Sequence, residues 1–239
     1  MLRNLGGRGD RKGPPCPFFL WGEWGSMNER KKENGKAEEA RARAGLYRLV
    51  AQMVAQEPDE AFLRELNATG FRETVASLGL SPPSAPTSTE ADVTCEELAV
   101  EYARLFLLPG APLHPYESVQ RGEGQLWGEA TAGVQETYRE AGFELHPEVR
   151  HLPDHLAVEL EFMAHLATKE AERWAAGSTE EAEALQKRQK SFLRNHLGTW
   201  AVAFAHTLKA ETSQRYFQFL ADLLETVIKS DAYFLDAPL

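Results

Sequence analysis

Apolar residues recur every three or four positions in one long segment after another, and this spacing is what most limits the fold of the chain. The clearest runs are Leu46, Leu49, Val50, Met53 and Val54, then Leu98, Tyr102 and Leu105, then Leu156, Leu160, Met163 and Ala167. Composition agrees with helices, because the chain has 32 Ala and 29 Leu against 11 Val and one Ile, whereas sheets favour β-branched residues. The sequence therefore predicts an all-α protein, a single-domain helical bundle.

Local signals predict where several of these helices begin and end. Thr94 with Glu97, and Ser178 with Glu181, have the spacing of a capping box, in which two side chains accept backbone N–H groups of the first helical turn. Gly142 is expected to end a helix in the left-handed conformation. The predicted helices cover 36–55, 59–67, 71–78, 94–105, 126–141, a segment that starts at 153, a segment after 178 that breaks once near residue 198, and a last helix around 217–227.

The first residues differ in composition from the rest of the chain. They contain Gly6-Gly7 and Pro14-Pro15, and their apolar patch at 18–21 is too short for a secretory signal. Helix-like sequence begins at Met27. We therefore expect residues 1–27 to be a disordered or misassigned N-terminal extension, and residues 28–239 to form the helical domain.

Charge and cysteine content narrow the class of partner. The formal net charge of −10 argues against nucleic acid and favours a basic peptide. Two cysteines, Cys16 and Cys95, are too few for a disulfide framework, so we expect a reducing, cytoplasmic location. No run approaches the roughly 18 apolar residues of a spanning helix, so stable membrane insertion is not expected.

The densest group of titratable residues is His151-Leu152-Pro153-Asp154-His155. Two histidines four residues apart can share a metal ion, with Asp154 or Glu159 as oxygen ligand. Pro153 lies between them and interrupts a regular turn, so we also interpret the segment as a helix start with Asp154 at the positive end of the dipole and His155 on the surface. No nucleophile elbow or phosphate loop is present, and we assign no catalytic residue, no metal and no cofactor.

A second unusual segment is Pro115-Tyr116-Glu117-Ser118, in a loop between predicted helices. A tyrosine between proline and an acidic residue is hard to bury there. Such loops often carry function, but a tyrosine packed over a helix end would explain the segment equally well.

Several segments together carry a resemblance to a known family. They are 101–106, 115–119, 128–138, 141–143, 152–163 and 192–200, in that order. Over about residues 42–228 the chain resembles the TorD/DmsD family of redox-enzyme maturation chaperones, which includes the nitrate reductase delta-subunit group. The run Pro-Asp-His-Leu-Ala-x-Glu-Leu at 153–160 is the most specific of these segments.

The resemblance implies an all-helical cytoplasmic chaperone without catalytic activity. Such a protein binds the twin-arginine signal peptide of a molybdopterin-containing oxidoreductase, as monomer or homodimer, and assists cofactor insertion before the enzyme is exported. The family's recognition elements fall on two segments of this chain. The residues expected to bind the signal peptide are Pro115, Tyr116, Glu117, Ser118, Pro153, Asp154, His155 and Glu159.

Carboxylates suit the two arginines of such a peptide, because a guanidinium donates two parallel hydrogen bonds to a carboxylate. Glu117, Glu123, Asp154 and Glu159 are the candidates, and we expect Asp154 to turn its charge toward the peptide, with His155 bonding its backbone and Tyr116 facing both. Two alternatives stay open. One is a small metal-dependent hydrolase that uses His151, Asp154, His155 and Glu159, and the other is a permanent assembly subunit of an oxidoreductase complex.

Overall fold

The computed structural model describes residues 18–82, 94–123, 127–146 and 148–239. These residues form ten α-helices, a π-helical turn and a 3-10 turn, and contain no strand beyond one isolated bridge. The helices are α1 (Phe18–Ala55), α2 (Glu60–Leu66), α3 (Thr69–Ser77), α4 (Cys95–Tyr102), α5 (Glu117–Gln120), α6 (Glu129–Ala141), α7 (Leu156–Ala175), α8 (Thr179–Asn195), α9 (Ala201–Glu211) and α10 (Arg215–Phe234). The π-helical turn, Ala103–Leu107, follows α4, and the 3-10 turn, Leu197–Thr199, precedes α9. The predicted all-α class is confirmed.

The N-terminal helix is longer than the sequence predicted. It begins at Phe18, so residues 18–27, which we expected to be disordered and outside the domain, are helical. No proline lies between Pro17 and Pro58, so the helix keeps all its backbone donors up to its observed end. Residues 1–17 and 83–93, the latter holding most of the predicted proline-rich loop, lie outside the described part of the chain.

One of the two predicted capping boxes forms. At the start of α4 the Thr94 hydroxyl accepts the Glu97 N–H at 3.2 Å, and the Glu97 carboxylate accepts the Thr94 N–H at 2.8 Å. The second box is wrong. Ser178 does precede α8, but its side chain makes no cap bond, and Glu181 instead pairs with Arg173 at 3.0 Å. The ion pair with Arg173 holds the Glu181 carboxylate, so the spacing of Ser178 and Glu181 does not produce a capping box.

Glycines mark two of the helix ends. Gly142 follows α6 with φ +67°, the left-handed conformation that the sequence predicted. Gly198 lies in the 3-10 turn between α8 and α9, where a Cβ would collide with the Leu193 carbonyl oxygen. The break expected near this glycine is therefore a tight turn that only glycine fits.

Helix α7 lies at the centre of the bundle. It packs most extensively along α1, and α8 covers another side, while α10 packs on α1 and α9. Five consecutive residues at its start, 156–160, are all buried, so the first turn of the helix is enclosed on every side. One apolar core draws side chains from every described helix except the short α5. No helix in the described ranges combines the length and the apolarity needed to cross a bilayer.

A buried polar network fastens the central helices together. Arg43 of α1 donates to Asp231 of α10, to Glu170 of α7 at 2.8 Å and to Gln189 of α8. The Tyr47 hydroxyl donates to Asp231 at 2.6 Å. Every buried side-chain oxygen and nitrogen of these residues has a partner, which is what makes a buried ion pair tolerable.

Removing the guanidinium should therefore strain the whole bundle. Arg43→Met leaves the Glu170 and Asp231 carboxylates buried without their cation, and we expect a loss of about 3–5 kcal/mol in the free energy of unfolding by urea. Arg41→Met, on the exposed face of the same helix, is the matched control and should change stability little. Equal stability of the two variants would contradict a stabilising role for the network.

Candidate functional site

The two segments that carry the resemblance lie side by side, where the loop before α5 crosses the start of α7. The Glu117 N–H donates to the Asp154 carbonyl at 2.9 Å, and the Leu156 N–H donates to the Pro115 carbonyl at 2.8 Å. Tyr116 and His155 thus form the isolated antiparallel bridge. Although they are far apart in the chain, backbone hydrogen bonds hold the two segments in one register.

Asp154 is inside the protein rather than at its surface. The residue is 0% exposed, and its Oδ2 accepts the Ser118 N–H at 3.1 Å, in the first turn of α5. The carboxylate therefore caps the short helix that follows Tyr116, an N-terminal position that suits a negative charge. Its charge is not turned outward toward a peptide, contrary to our expectation from the sequence.

The start of α7 also differs from the predicted geometry. The helix begins at Leu156, with His155 as the capping residue, so Pro153 precedes the helix instead of occupying its first turn. Pro153 is buried, and its carbonyl accepts the Tyr138 hydroxyl at 3.0 Å. This bond ties the segment before α7 to α6.

His155 is buried as well, although the sequence suggested a surface position. Its Nδ1 accepts the Ala157 N–H at 3.1 Å, its ring meets the Tyr116 ring edge-on at 5.0 Å, and it stacks on the His151 ring at 3.9 Å. Burial, together with the neighbouring His151, lowers the pKa of His155 to about 3. The imidazole is therefore neutral at physiological pH, which suits an acceptor that caps a helix.

Glu117 and Glu159 are both fully buried beneath the loop. One Glu117 oxygen accepts from Arg121 at 2.8 Å, and the other lies 3.1 Å from Nδ1 of His196. Glu159 accepts the indole N–H of Trp200 at 3.4 Å. Burial and the negative charge of Glu117 raise the pKa of Glu159 well above its ordinary value, because both favour the neutral form of this carboxyl group.

Three further polar residues of this site were not among the predicted ones. His196 and Trp200 reach the buried carboxyl groups from the turn between α8 and α9, and Arg121, which follows α5, donates to Glu117. Both His196 and Trp200 lie in the segment 192–200 that contributed to the resemblance. Polar residues in that segment could have indicated a role in the site. Only the tertiary structure shows that they contact Glu117 and Glu159.

We call Glu117, Ser118, Asp154 and Glu159 the buried acid cluster. Three side-chain oxygens of this cluster have no hydrogen-bond partner among the described residues, namely Ser118 Oγ, Asp154 Oδ1 and Glu159 Oε1. Buried oxygens of this kind are usually bonded to internal water. The cluster is thus polar enough to hold water under the loop.

The geometry does not assemble the metal site of the hydrolase alternative. Nδ1 of His155 is already used as a helix cap, and His151 stacks on the ring instead of turning a nitrogen to a shared point. Among the residues that the structure describes, no three or more His, Cys, Asp or Glu side chains are arranged to hold a metal ion.

Of the eight residues that we expected to bind the signal peptide, Tyr116 is half-buried and the other seven are buried.

Glu123, the fourth carboxylate proposed for the arginines, has a structural partner. It accepts the Ala130 N–H at 3.1 Å and so caps the start of α6. It is half-buried, whereas Glu117, Asp154 and Glu159 are inaccessible. The four predicted carboxylates therefore surround the Tyr116 loop from beneath and beside it.

Acid should destabilise the protein through His155. In the unfolded chain this imidazole binds a proton below about pH 6.5, but the folded protein resists protonation down to about pH 3, so the unfolded state gains protons first. We expect the free energy of unfolding to fall by up to about 1.4 kcal/mol per pH unit within that window. His155→Asn keeps a capping oxygen and should show a flatter profile between pH 6.5 and 5 in urea titrations. Identical slopes for both proteins would refute the assignment.

Through Glu159 we expect the free energy of unfolding to change with pH in the opposite direction. Its folded pKa is raised, so above the ordinary value of 4.5 the unfolded state loses a proton that the folded state keeps, and stability falls as pH rises. Glu159→Gln is neutral at every pH, and its stability relative to the native sequence should increase as the pH rises above 4.5. The exposed Glu183→Gln is the control and should track the native sequence. Parallel curves for Glu159→Gln would show that Glu159 is ionised in the folded protein.

Comparisons with known proteins agree on one family. The family model described as the nitrate reductase delta subunit matches residues 54–206. The chaperone protein TorD of Psychrobacter sp. is 30% identical over 82% of this chain and 92% of its own length, and that of Photobacterium profundum is 27% identical over 81% and 94%. A solved structure of a candidate redox enzyme maturation protein from Archaeoglobus fulgidus is 25% identical, covers 81% of this chain and 93% of its own, and gives a TM-score of 0.45.

Proposed function

Since the chain belongs to the nitrate reductase delta subunit family and its relatives are TorD chaperones rather than enzymes, we propose that it binds the twin-arginine signal peptide of a molybdopterin-containing oxidoreductase. In this proposal the chaperone acts in the cytoplasm. It holds the client back from export until the cofactor has been inserted.

The observation that carries the proposal is the rigid presentation of Tyr116. The two backbone bonds of the bridge, the Asp154 cap on α5 and the edge-on contact with His155 fix this side chain at the surface. An aromatic ring with a polar tip, held in place before its partner arrives, binds at a low entropic cost. Buried contacts therefore preorganise the proposed recognition surface.

The buried residues of the predicted site act, in this proposal, through the loop. Asp154 holds the backbone of Ser118, and Glu117 joins the loop to Arg121 and His196. Their charges are shielded from a peptide by burial, whereas the net charge of −10 attracts a cationic peptide over a longer range. Arginine recognition then falls to carboxylates that are exposed.

A peptide titration tests the proposal directly. We expect a synthetic peptide with an Arg-Arg pair followed by an apolar segment to bind more tightly than its Lys-Lys counterpart in a calorimetric titration. Tyr116→Ala should weaken binding of the Arg-Arg peptide by about threefold to tenfold, the effect of one aromatic contact. Tyr233→Ala, which removes a tyrosine that is 91% exposed on α10, is the matched control and should bind as the native sequence does.

Two outcomes would contradict the proposal. Equal binding of the Arg-Arg and Lys-Lys peptides would remove twin-arginine recognition, and equal binding by Tyr116→Ala and Tyr233→Ala would remove the Tyr116 surface. The maturation step has its own measurement: the molybdenum content of a client oxidoreductase should fall when this chain is deleted and return when it is restored. Co-purification of chaperone and client through a high-salt wash would instead favour a permanent assembly subunit.

A further inference from the structure

A groove of about 620 Å³ opens beside Pro153, between α6 and the chain that follows it. Its lining includes Ala132, Glu136, Arg139, Phe143, Glu144 and Pro153. Pro153 lines the groove and directly precedes Asp154 and His155. The segment 153–155 therefore connects the groove with Tyr116, whose ring the His155 ring contacts edge-on at 5.0 Å.

The floor of the groove is aromatic and firmly held. Phe143 is half-buried, and its ring centroid lies 5.1 Å from that of Tyr138 and 5.3 Å from that of Phe162. Tyr138 is fixed in turn by its bond to the Pro153 carbonyl and by its contact with Phe162 at 4.6 Å. An aromatic face anchored in the core in this way is a ready surface for an arginine side chain to stack on.

The rim of the groove supplies carboxylates that solvent can reach. Glu144 is exposed, and Glu136 is about half-exposed and engaged by Arg139, whose Nε lies 2.9 Å from it. These two carboxylates are accessible, in contrast to the three in the interior beneath the loop. Arg139 also shows that a guanidinium binds Glu136 in this groove.

We propose that this groove receives the arginine-bearing part of the client's signal peptide, an inference that rests on the proposed function. One arginine stacks on the Phe143 ring and donates its forked N–H groups to Glu144, and the next competes with Arg139 for Glu136. A lysine cannot form the paired bonds or the planar stack as well, so the groove selects arginine. Tyr116, beyond Pro153, then meets the apolar segment that follows.

The charge arm of the test uses the double variant Glu136→Gln/Glu144→Gln. We expect its affinity for the synthetic Arg-Arg peptide to fall by about fivefold to tenfold, with a smaller preference over the Lys-Lys peptide. Glu38→Gln/Glu180→Gln, at exposed positions on α1 and α8, changes the net charge equally and controls for long-range attraction. This control should keep both the affinity and the preference.

Two further arms test the shape and the competition. Ala132→Trp fills the groove and should weaken binding, whereas Ala184→Trp on the exposed face of α8 should not. Arg139→Gln frees the Glu136 carboxylate and should strengthen binding of the Arg-Arg peptide. Arg173→Gln breaks a comparable surface pair elsewhere and should leave it unchanged.

The outcomes separate this inference from the proposed function. If the native protein prefers the Arg-Arg peptide and Tyr116→Ala weakens it, but the groove variants match their controls, the groove is not the arginine site and the proposed function stands. If the native protein shows no such preference, both fall. If Ala132→Trp instead changes the oligomeric state measured by light scattering, the groove is an interface between copies of this chain, which also overturns the inference.

Discussion

Burying carboxyl groups is costly, and around α7 the described part of the chain buries five, at Glu117, Asp154, Glu159, Glu170 and Asp231. Two of them, Glu159 and Glu170, lie on buried faces of α7 and have no route to solvent. Each must be neutralised, paired or capped where it lies. The positions of α1, α5, α8 and the turn before α9 follow from these requirements, because these elements bring the partners.

The five acids are handled in two different ways. Glu170 and Asp231 share the Arg43 guanidinium, and none of their buried oxygens lacks a partner. Beneath the Tyr116 loop, by contrast, burial raises the pKa of Glu159, Asp154 uses one oxygen to cap α5, and three buried oxygens have no partner among the described residues. A network with a purely structural role needs every buried polar atom to be hydrogen-bonded, as in the Arg43 network. The buried acid cluster, in which some oxygens have no partner among the described residues, lies next to Tyr116, the residue that the resemblance connects with recognition.

The fold followed from the sequence more completely than the site did. Helix spacing, the Thr94 cap and the Gly142 end are local properties, and local sequence carries them. The long α1 was missed because a change in composition was interpreted as a domain boundary, and the Ser178 box failed because Arg173 competes for Glu181. Which residues meet was predicted for Tyr116 and His155 only through the resemblance.

Burial was the property that the sequence could not supply. Asp154 and His155 were expected at the surface because polar residues at a helix start usually lie there. Their enclosure depends on α5 and on the loop at Tyr116, which are remote in sequence. Glu117 contacts Arg121, four residues further along the chain, and His196, 79 residues further along. No local sequence pattern connects these three residues.

The residues that bond one another in the buried acid cluster are far apart in the sequence. This separation determines how late in folding the Tyr116 loop becomes ordered. Asp154 bonds a residue 36 positions away, Glu159 one 41 away and Glu117 one 79 away. Contacts of such separation close late in folding, after local helices have formed, because a large loop entropy must be overcome first. During synthesis, Glu117 has no His196 to meet until most of the polypeptide has been made. A nascent or partly folded copy would therefore lack the loop order that these contacts supply.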